Sequence, residues 1–260
     1  MRWLERFATP LQVLMTLGLF VELSLLAGLS ATPGVYAALT AHAWIATRGL
    51  APIVVVFVDC WLAGLAFFSY AVVVTLVVPL MRIVSRGTPE GRFPYYSFKA
   101  FQWASYNALI LLVRYTCINF LRLTPFINLF HALMGMKLGK RVQLNSAIIA
   151  DSNLIEIGDD SVIGGDVTLI AHAAERGEVV TRRVKIGSRV TVGLMAVILP
   201  GCEIGDRAVI AAGAVLPKNT KVLPGEIWGG VPAKKIGHRD ERRDERRDER
   251  REGERREERA

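Results

Sequence analysis

Cysteine is scarce in this sequence, and its three cysteines share no spacing typical of a metal site or a disulfide. Cys60 lies in a long apolar segment, Cys117 in a later helical segment, and Cys202 at an inward position of a repeat. This usage is consistent with a reducing compartment. Motifs typical of nucleic-acid binding are also lacking, so we expect no nucleic acid partner despite a formal net charge of +8.

Net charge is missing from the C-terminal tail. Residues 239–260 hold equal numbers of arginine and acidic residues in a four-residue repeat with no apolar seam, which excludes a coiled coil. We expect a charged helical or disordered tail without a role in chemistry. The basic excess therefore lies upstream, beside apolar segments, and predicts contact with the anionic headgroups of membrane lipids. Its two clusters are Arg82, Arg86, Arg92 and Lys99, and Arg122, Lys137, Lys140 and Arg141.

Apolar residues are abundant, at 52% of the chain, which is too many for an ordinary soluble protein. Two runs, Leu11 to about Ser30 and Ala51 to about Met81, reach the ~20 residues that a bilayer core requires. The first is longer than the apolar part of a signal peptide, and a second run follows it in place of a cleavage site. We predict a transmembrane helical hairpin with two passes. Both of its flanks carry arginines against only Arg48 between the runs, which places the following domain in the cytoplasm.

A third apolar segment, Phe101 to Leu121, carries Arg114 near its midpoint. An arginine at the bilayer centre costs ~2.5 kcal/mol or more. We therefore expect an interfacial helix whose Trp103, Tyr106 and Leu111 face the acyl chains. A third pass is the alternative, and it would move the following domain across the membrane.

Two carboxyl groups lie inside the predicted passes. Glu22 and Asp59 are each some eight residues from the loop that joins the passes, so both are expected ~12 Å below the same face. One hypothesis is that they meet and share a proton or bind an amine or a lipid headgroup. The alternative is that the loop side is wet and that His42 or Arg48 compensates them.

The C-terminal half of the chain repeats every six residues from Ile186 to Lys221. Aliphatic residues occupy the first positions: Ile186, Val192, Ile198, Ile204, Ile210 and Leu216. Small or β-branched residues occupy the fifth: Val190, Ala196, Cys202, Ala208, Ala214 and Thr220. Such spacing predicts a triangular solenoid in which three hexads close one coil and stacked coils pair in parallel.

The same phase continues upstream through hexads that begin at Leu138, Leu144 and Ala150, then resumes after one extra residue. It breaks at Glu175. The run from Glu175 to Lys185 has no hexad phase, so we expect a loop that leaves the coil directly after His172.

Several segments resemble the left-handed β-helix, hexapeptide-repeat acyltransferases. They are RFPYYSF from Arg92, LTPFINLFHALMGMKLG from Leu123, NLIEIGDDSVIGGDVTLIAH from Asn153 and IWGGVPAKKIG from Ile227. In finer detail they are similar to the membrane-attached C-terminal region of amino-acid-polymerising nonribosomal synthetases of the polylysine synthetase type. The resemblance implies a mainly β fold, a left-handed parallel β-helix.

The resemblance also implies a homotrimer whose coenzyme A or carrier-protein thioester lies between neighbouring β-helices. His172 matches the general base, and Glu175 is expected to orient its imidazole from the loop. Gly193 matches the place of a backbone N–H that stabilises the oxyanion. Ala211 matches the wall along the pantetheine arm, and Lys218 a contact to the nucleotide phosphates. Chemically, an imidazole suits proton removal from an attacking hydroxyl or amine.

We therefore expect a membrane-anchored acyltransferase that uses acyl-CoA or an acyl-carrier-protein thioester, with a lipid-linked, polymeric or peptide acceptor and no bound cofactor or metal. A close variant forms amide bonds between amino acids on carrier proteins. A zinc hydration enzyme on the same fold requires three histidines across an interface, and only His172 lies in the repeats. A non-catalytic trimeric scaffold is the remaining alternative.

Four regions follow from these patterns. They are a transmembrane hairpin (1–84), an interfacial helical linker (85–135), a β-helix acyltransferase domain (136–237) and a charged low-complexity tail (238–260).

Overall fold

A computed structural model describes residues 2–239, so the expected structure of the charged tail lies almost entirely outside the described residues. Six helices are present in this range: α1 (Arg2–Ala46), α2 (Pro52–Leu80), α3 (Arg82–Ser85), α4 (Phe98–Thr116), α5 (Ile118–Leu121) and α6 (Pro125–Leu133). A 3-10 turn covers Ser152–Leu154. Strand β1 (Gly91–Pro94) lies between α3 and α4, and all other strands follow α6.

The strands after α6 are short, as the six-residue spacing predicts. They are β2 (Lys137–Leu138), β3 (Gln143–Leu144), β4 (Ile155–Ile157), β5 (Val162–Ile163), β6 (Thr168–Leu169), β7 (His172–Glu175), β8 (Glu178–Thr181), β9 (Val184–Ile186), β10 (Thr191–Val192), β11 (Val197–Ile198), β12 (Glu203–Ile204), β13 (Val209–Ile210), β14 (Val215–Leu216), β15 (Lys221–Val222), β16 (Glu226–Gly229) and β17 (Lys234–His238).

Three sheets run along the stack, and parallel pairing joins successive coils, which confirms the predicted parallel solenoid. Their orders are β15-β12-β9-β4-β2, β17-β16-β13-β10-β5-β3 and β14-β11-β6. In each sheet, residues one coil apart pair directly: Ile186 with Ile204, Val192 with Ile210, and Ile198 with Leu216. The aliphatic first-position residues are buried in the interior of the stack. The left-handed winding stays a prediction.

Two interruptions of the hexad phase are visible in the pairing. Leu138 pairs with Ile157, one residue beyond a full coil, which confirms the single extra residue. The chain also leaves the coil after His172, as predicted, but it does not form a loop. Instead β7 and β8 pair as an antiparallel hairpin, and β1 adds a third antiparallel strand. The hairpin is ordered because Phe93 and Val179 are buried together with Ala100 of α4.

Helices α1 and α2 pack against each other as an antiparallel hairpin of 45 and 29 residues. Both are long and apolar enough to cross a membrane. Helix α1 continues to Ala46, well past the predicted end near Ser30. Gly34 lets this longer helix approach α2 closely, because a side chain there would lie 2.9 Å from the backbone of Ala66 on α2. Large apolar side chains such as Leu25 and Phe57 are exposed on the outside of the hairpin.

The longer α1 separates the two carboxyl groups that were expected to meet, so that hypothesis is wrong. Asp59 contacts His42, with 2.8 Å between Oδ1 and Nδ1, near the connection between the helices. Glu22 is 20 residues earlier on α1, about 30 Å away along the helix. It lies beside Met81 and Arg86 at the opposite end of the hairpin.

Helix α4 packs onto the first coils of the stack, and the expectation that Trp103 and Tyr106 face acyl chains is wrong. Tyr106 is fully buried, donates its hydroxyl to the Met134 carbonyl and accepts from the Asn153 N–H. Trp103 and Tyr106 each carry one polar group, and the surrounding protein supplies hydrogen-bond partners for these groups that the hydrocarbon of a bilayer does not supply. Leu111 remains exposed.

One continuous apolar core links the helices to the stack. Val74 and Val78 of α2, Leu109 of α4 and Phe130 of α6 belong to the same buried cluster as the inward residues of the coils. The hairpin is therefore fixed directly to the base of the stack. The region boundaries at 84 and 135 stay predictions.

Candidate functional site

The histidine singled out by sequence lies where the chain leaves the coil. His172 is the first residue of β7, and its side chain is partly exposed, at 28%. Its Nδ1 lies 2.5 Å from Oδ2 of Asp151, whose side chain is fully buried. The coil thus places the imidazole at the protein surface, with its Nδ1 bound to the buried carboxylate of Asp151.

Asp151 sits in a left-handed backbone conformation (φ 54°) directly before the 3-10 turn, a region that aspartate tolerates better than most residues. A buried carboxylate is costly unless it is fully hydrogen-bonded. Here the helices, the loop before β1 and the coil supply five donors: Thr88 Oγ1, Trp103 Nε1, Asn107 Nδ2, the Ala171 N–H and His172 Nδ1. The carboxylate is therefore fixed in place and saturated.

This contact sets the chemistry of the imidazole. When Nδ1 donates its proton to the carboxylate of Asp151, Nε2 carries the lone pair. Among the described residues, no protein group hydrogen-bonds to Nε2 of His172. Trp103 lies edge-on to the ring, with 5.0 Å between ring centroids, and restricts its rotation. The arrangement can accept a proton at one defined, accessible nitrogen.

Glu175 and Lys218 contact each other, and neither contacts His172. The Lys218 ammonium lies 2.6 Å from Oε1 of Glu175, and Arg92 donates to Oε2 at 3.1 Å. The hydrogen bond from Lys218 holds the pKa of Glu175 below its usual value, with Arg92 adding to the effect. The group that orients the imidazole is therefore Asp151 in place of Glu175. Catalytic roles for Glu175 and phosphate binding by Lys218 stay predictions.

Gly193 does not offer the N–H expected of an oxyanion donor, because that N–H already donates to the Ile210 carbonyl at 2.7 Å. A side chain at Gly193 would lie 2.5 Å from the Ala212 nitrogen, so glycine is required there by the close stacking of the coils. Ala211 lies in the facing coil, and its N–H donates to Trp228. The positions of Gly193 and Ala211 along a donor cleft stay predictions.

A cleft of about 500 Å³ lies beside Trp103, which forms part of its wall. One wall is the part of α1 around Leu19, and the opposite wall is formed by Tyr95, Tyr96 and the first turns of α4. Its lining is mainly aromatic and aliphatic. The cleft thus lies between the apolar helical hairpin and Trp103, whose ring also contacts His172.

Sequence reasoning missed Asp151 and the partners that converge on it. The available signal was the pair Trp103 and Asn107, which lie four residues apart on one face of α4. Such a polar stripe marks the face of α4 that meets the stack. Its target could not be identified, because Asp151 occupies an ordinary hexad position.

Comparisons with known proteins agree with this architecture. A family model described as bacterial transferase hexapeptide (six repeats) matches residues 183–218. The putative acetyltransferase YvoF of Bacillus subtilis is 34% identical over 131 residues, which cover 48% of this chain and 75% of YvoF.

Delta-poly-L-ornithine synthetase of Acinetobacter baumannii is 29% identical over 167 residues, which cover 64% of this chain. The chain spans only 12% of the length of that synthetase. Among solved structures, the hexapeptide-repeat acetyltransferase VCA0836 of Vibrio cholerae, complexed with acetyl coenzyme A, has 25% identity and a TM-score of 0.38. The match covers 41% of this chain and 62% of that one.

Proposed function

This chain belongs to the hexapeptide-repeat transferase family, and from that premise we propose that it is a membrane-anchored acyltransferase. It moves an acyl group, acetyl in the simplest case, from the thioester of coenzyme A or an acyl-carrier protein to a hydroxyl or amine. The observation that carries the proposal is the contact between His172 and the buried Asp151.

In the proposed reaction, Nε2 of His172 takes the proton of the acceptor as its oxygen or nitrogen attacks the thioester carbonyl carbon. A tetrahedral oxyanion forms, then collapses and breaks the carbon–sulfur bond. His172 returns the proton to the departing thiolate, so that a thiol and an ester or amide are the products. Asp151 holds the imidazole in one tautomer and stabilises the imidazolium that forms between the two steps.

Polar side chains lie at two positions along the axis of the helical hairpin, and the distance between these positions supports the membrane anchor. The pair of His42 and Asp59 lies at one level, and Glu22 and Arg86 lie at the other. The levels are 20 residues apart on α1, about 30 Å, which equals the hydrocarbon thickness of a bilayer. Basic residues gather at the end that carries the repeat stack, which favours a cytoplasmic location for the site.

We further propose the assembly that the family resemblance implies. Left-handed coils associate as a homotrimer, and the thioester donor lies between neighbouring subunits, near Gly193, Ala211 and Lys218. Glu175 holds Lys218 at the edge of that surface through the 2.6 Å contact.

The cleft beside Trp103 favours an acceptor with an apolar part, such as a lipid-linked alcohol or amine. Its walls combine α1, which belongs to the hairpin, with the tyrosines that follow β1. Aromatic side chains of this kind are typical of the boundary between lipid and water. An amphiphilic acceptor can enter from the membrane and present its polar end near His172.

Amide-bond formation between amino acids is the second candidate. The similarity to delta-poly-L-ornithine synthetase over 64% of this chain favours it. In this candidate reaction the amino acids are held as thioesters on carrier proteins, and one amine attacks the thioester of the next.

Release of free thiol from acetyl coenzyme A tests the proposal. Detergent-solubilised protein is assayed with long-chain alcohol and amine acceptors, comparing the wild type with His172→Ala and with His42→Ala as a matched histidine control. We expect His172→Ala to lower the acceptor-dependent rate ~10²- to 10⁴-fold and His42→Ala to leave it unchanged. Equal rates for wild type and His172→Ala would contradict the proposed catalysis and favour the alternative of a non-catalytic scaffold.

A further inference from the structure

A second cavity, of about 530 Å³, lies at the end of the hairpin nearest the repeat stack. Helix α1 contributes Glu22, the end of α3 contributes Arg86, and α4 contributes Phe101, Gln102 and Ser105. It shares Phe101 with the cleft beside Trp103, and it also reaches Met81, the residue after α2. Nothing in the proposed acyl transfer uses it.

Gln102 donates to the Gly87 carbonyl, but three other polar groups of this cavity have no such partner. Among residues 2–239, neither the Glu22 carboxylate, the Arg86 guanidinium nor the Ser105 hydroxyl forms a hydrogen bond or ion pair with another described side chain or backbone group. Glu22 is half-buried, Ser105 is buried and Arg86 is exposed. A partly buried carboxylate without a partner is costly, and a ligand that brings a cation to Glu22 removes that cost, while the exposed Arg86 can bind an anionic group of the same ligand.

The position of the cavity along the hairpin indicates that such a ligand comes from the headgroup layer of the bilayer. Glu22 lies about 30 Å along α1 from His42, so it sits at the headgroup layer when the hairpin spans a bilayer. Next to the cavity, an apolar groove of about 740 Å³ runs along α2 and is lined by Leu76, Leu80 and Ile83. Arg86 lines both the cavity and the groove. A phosphate held by Arg86 therefore has room for an acyl chain directly below it.

We propose that this cavity binds the headgroup of a zwitterionic phospholipid with a primary amine, of the phosphoethanolamine type. Arg86 binds the phosphate, Glu22 accepts hydrogen bonds from the ammonium, and Ser105 adds a hydrogen bond to the phosphate. Glu22 disfavours a purely anionic headgroup. A choline headgroup fits less well, because its quaternary nitrogen has no hydrogen to donate. The inference rests on the membrane anchoring in the proposed function.

Native mass spectrometry of the detergent-solubilised full chain tests this site. The protein is mixed with equal amounts of phosphatidylethanolamine, phosphatidylcholine and phosphatidylglycerol. We expect the wild type to retain phosphatidylethanolamine about tenfold better than the other two. Glu22→Gln should lose this preference and bind phosphatidylglycerol at least as well, and Arg86→Gln should bind all three less. Arg48→Gln, at the far end of the hairpin, is the matched control and should behave as the wild type.

Equal retention of the three lipids by the wild type overturns the proposal, and so does an unchanged preference in Glu22→Gln. Since the first result involves no variant, a misfolded variant cannot obscure it. Displacement of the lipid by soluble phosphoethanolamine at equal concentration would identify a site for a free phosphate ester, contrary to the proposal. Thiol release is measured on the same samples, so that failure of the lipid site can be distinguished from failure of the proposed acyl transfer. Equal retention of the three lipids together with a normal rate of acyl transfer would contradict the lipid site alone. Extraction of the chain from membranes by alkaline carbonate would contradict the membrane anchor itself.

Discussion

At the scale of single residues, the carboxylate of Asp151 determines what His172 can do. It is fully buried, it accepts five hydrogen bonds, and one of them comes from the imidazole. A group saturated in this way does not reorganise when charge develops on the ring, and such preorganisation is the main source of electrostatic stabilisation in enzymes. Glu175, bound to Lys218 and Arg92, is outside this arrangement.

Glu226 is a residue whose ionisation contributes to stability. Its buried carboxylate accepts hydrogen bonds from Lys235, from the Trp228 indole and from the Leu223 N–H, which together lower its pKa from 4.5 to about 2. Because the folded-state pKa is depressed, the contribution is complete above pH ~4.5 and disappears as the pH falls through about 2. Glu226→Gln should therefore lower the thermal midpoint by several degrees at pH 7, and the difference from wild type should shrink toward pH 2.

Thermal unfolding followed by circular dichroism between pH 2 and pH 7 measures this effect. Glu203→Gln is the control, because Glu203 is half-exposed and its cation is 3.6 Å away. A difference between Glu226→Gln and wild type that stays constant with pH would contradict the assignment.

At the scale of elements, the hexads predicted the repeat stack well. The phase located the extra residue before Ile157 and the point where the chain leaves the coil, since both change the pairing register directly. The hairpin β7–β8 and its partner β1 were not predicted. The hairpin lies outside the hexad phase, and the pairing of β1 with β8 joins residues 84 to 90 positions apart, a contact that no local period encodes.

Helix α4 shows why the site itself was only half predicted. The position of His172 in the repeat predicts it as a site residue. The role of Asp151 depends on hydrogen bonds from Trp103 and Asn107, which lie more than 40 positions earlier in the sequence. A tryptophan has an apolar body and one polar group, and this suits a lipid boundary and a buried hydrogen-bond network equally well. Gly193 was ambiguous for a similar reason, because close coil stacking and substrate contact both select glycine.

At the scale of the whole molecule, we predict that the hairpin crosses a membrane and leaves the repeat stack in the cytoplasm. Cys60 is first replaced by serine, and the other two native cysteines are buried and should not react. A single cysteine introduced into this background then reports whether its position is accessible from outside the cell, lies in lipid or lies in the cytoplasm. A membrane-impermeant maleimide should label Arg48→Cys in intact cells, leave Leu65→Cys unlabelled, and label Lys140→Cys only after permeabilisation. Labelling of Lys140→Cys in intact cells would place the stack outside, and equal labelling of Leu65→Cys would mean that the hairpin is not in lipid.

The most direct test of the account is the acceptor-dependent rate of thiol release in Asp151→Asn, in His172→Ala and in the double variant, with folding verified by thermal unfolding. If the two residues act as one unit, each single substitution lowers kcat at least ~10²-fold, and the double variant is no slower than His172→Ala. Wild-type rates in either single variant, or a double variant slowed by the product of the two single effects, would contradict it.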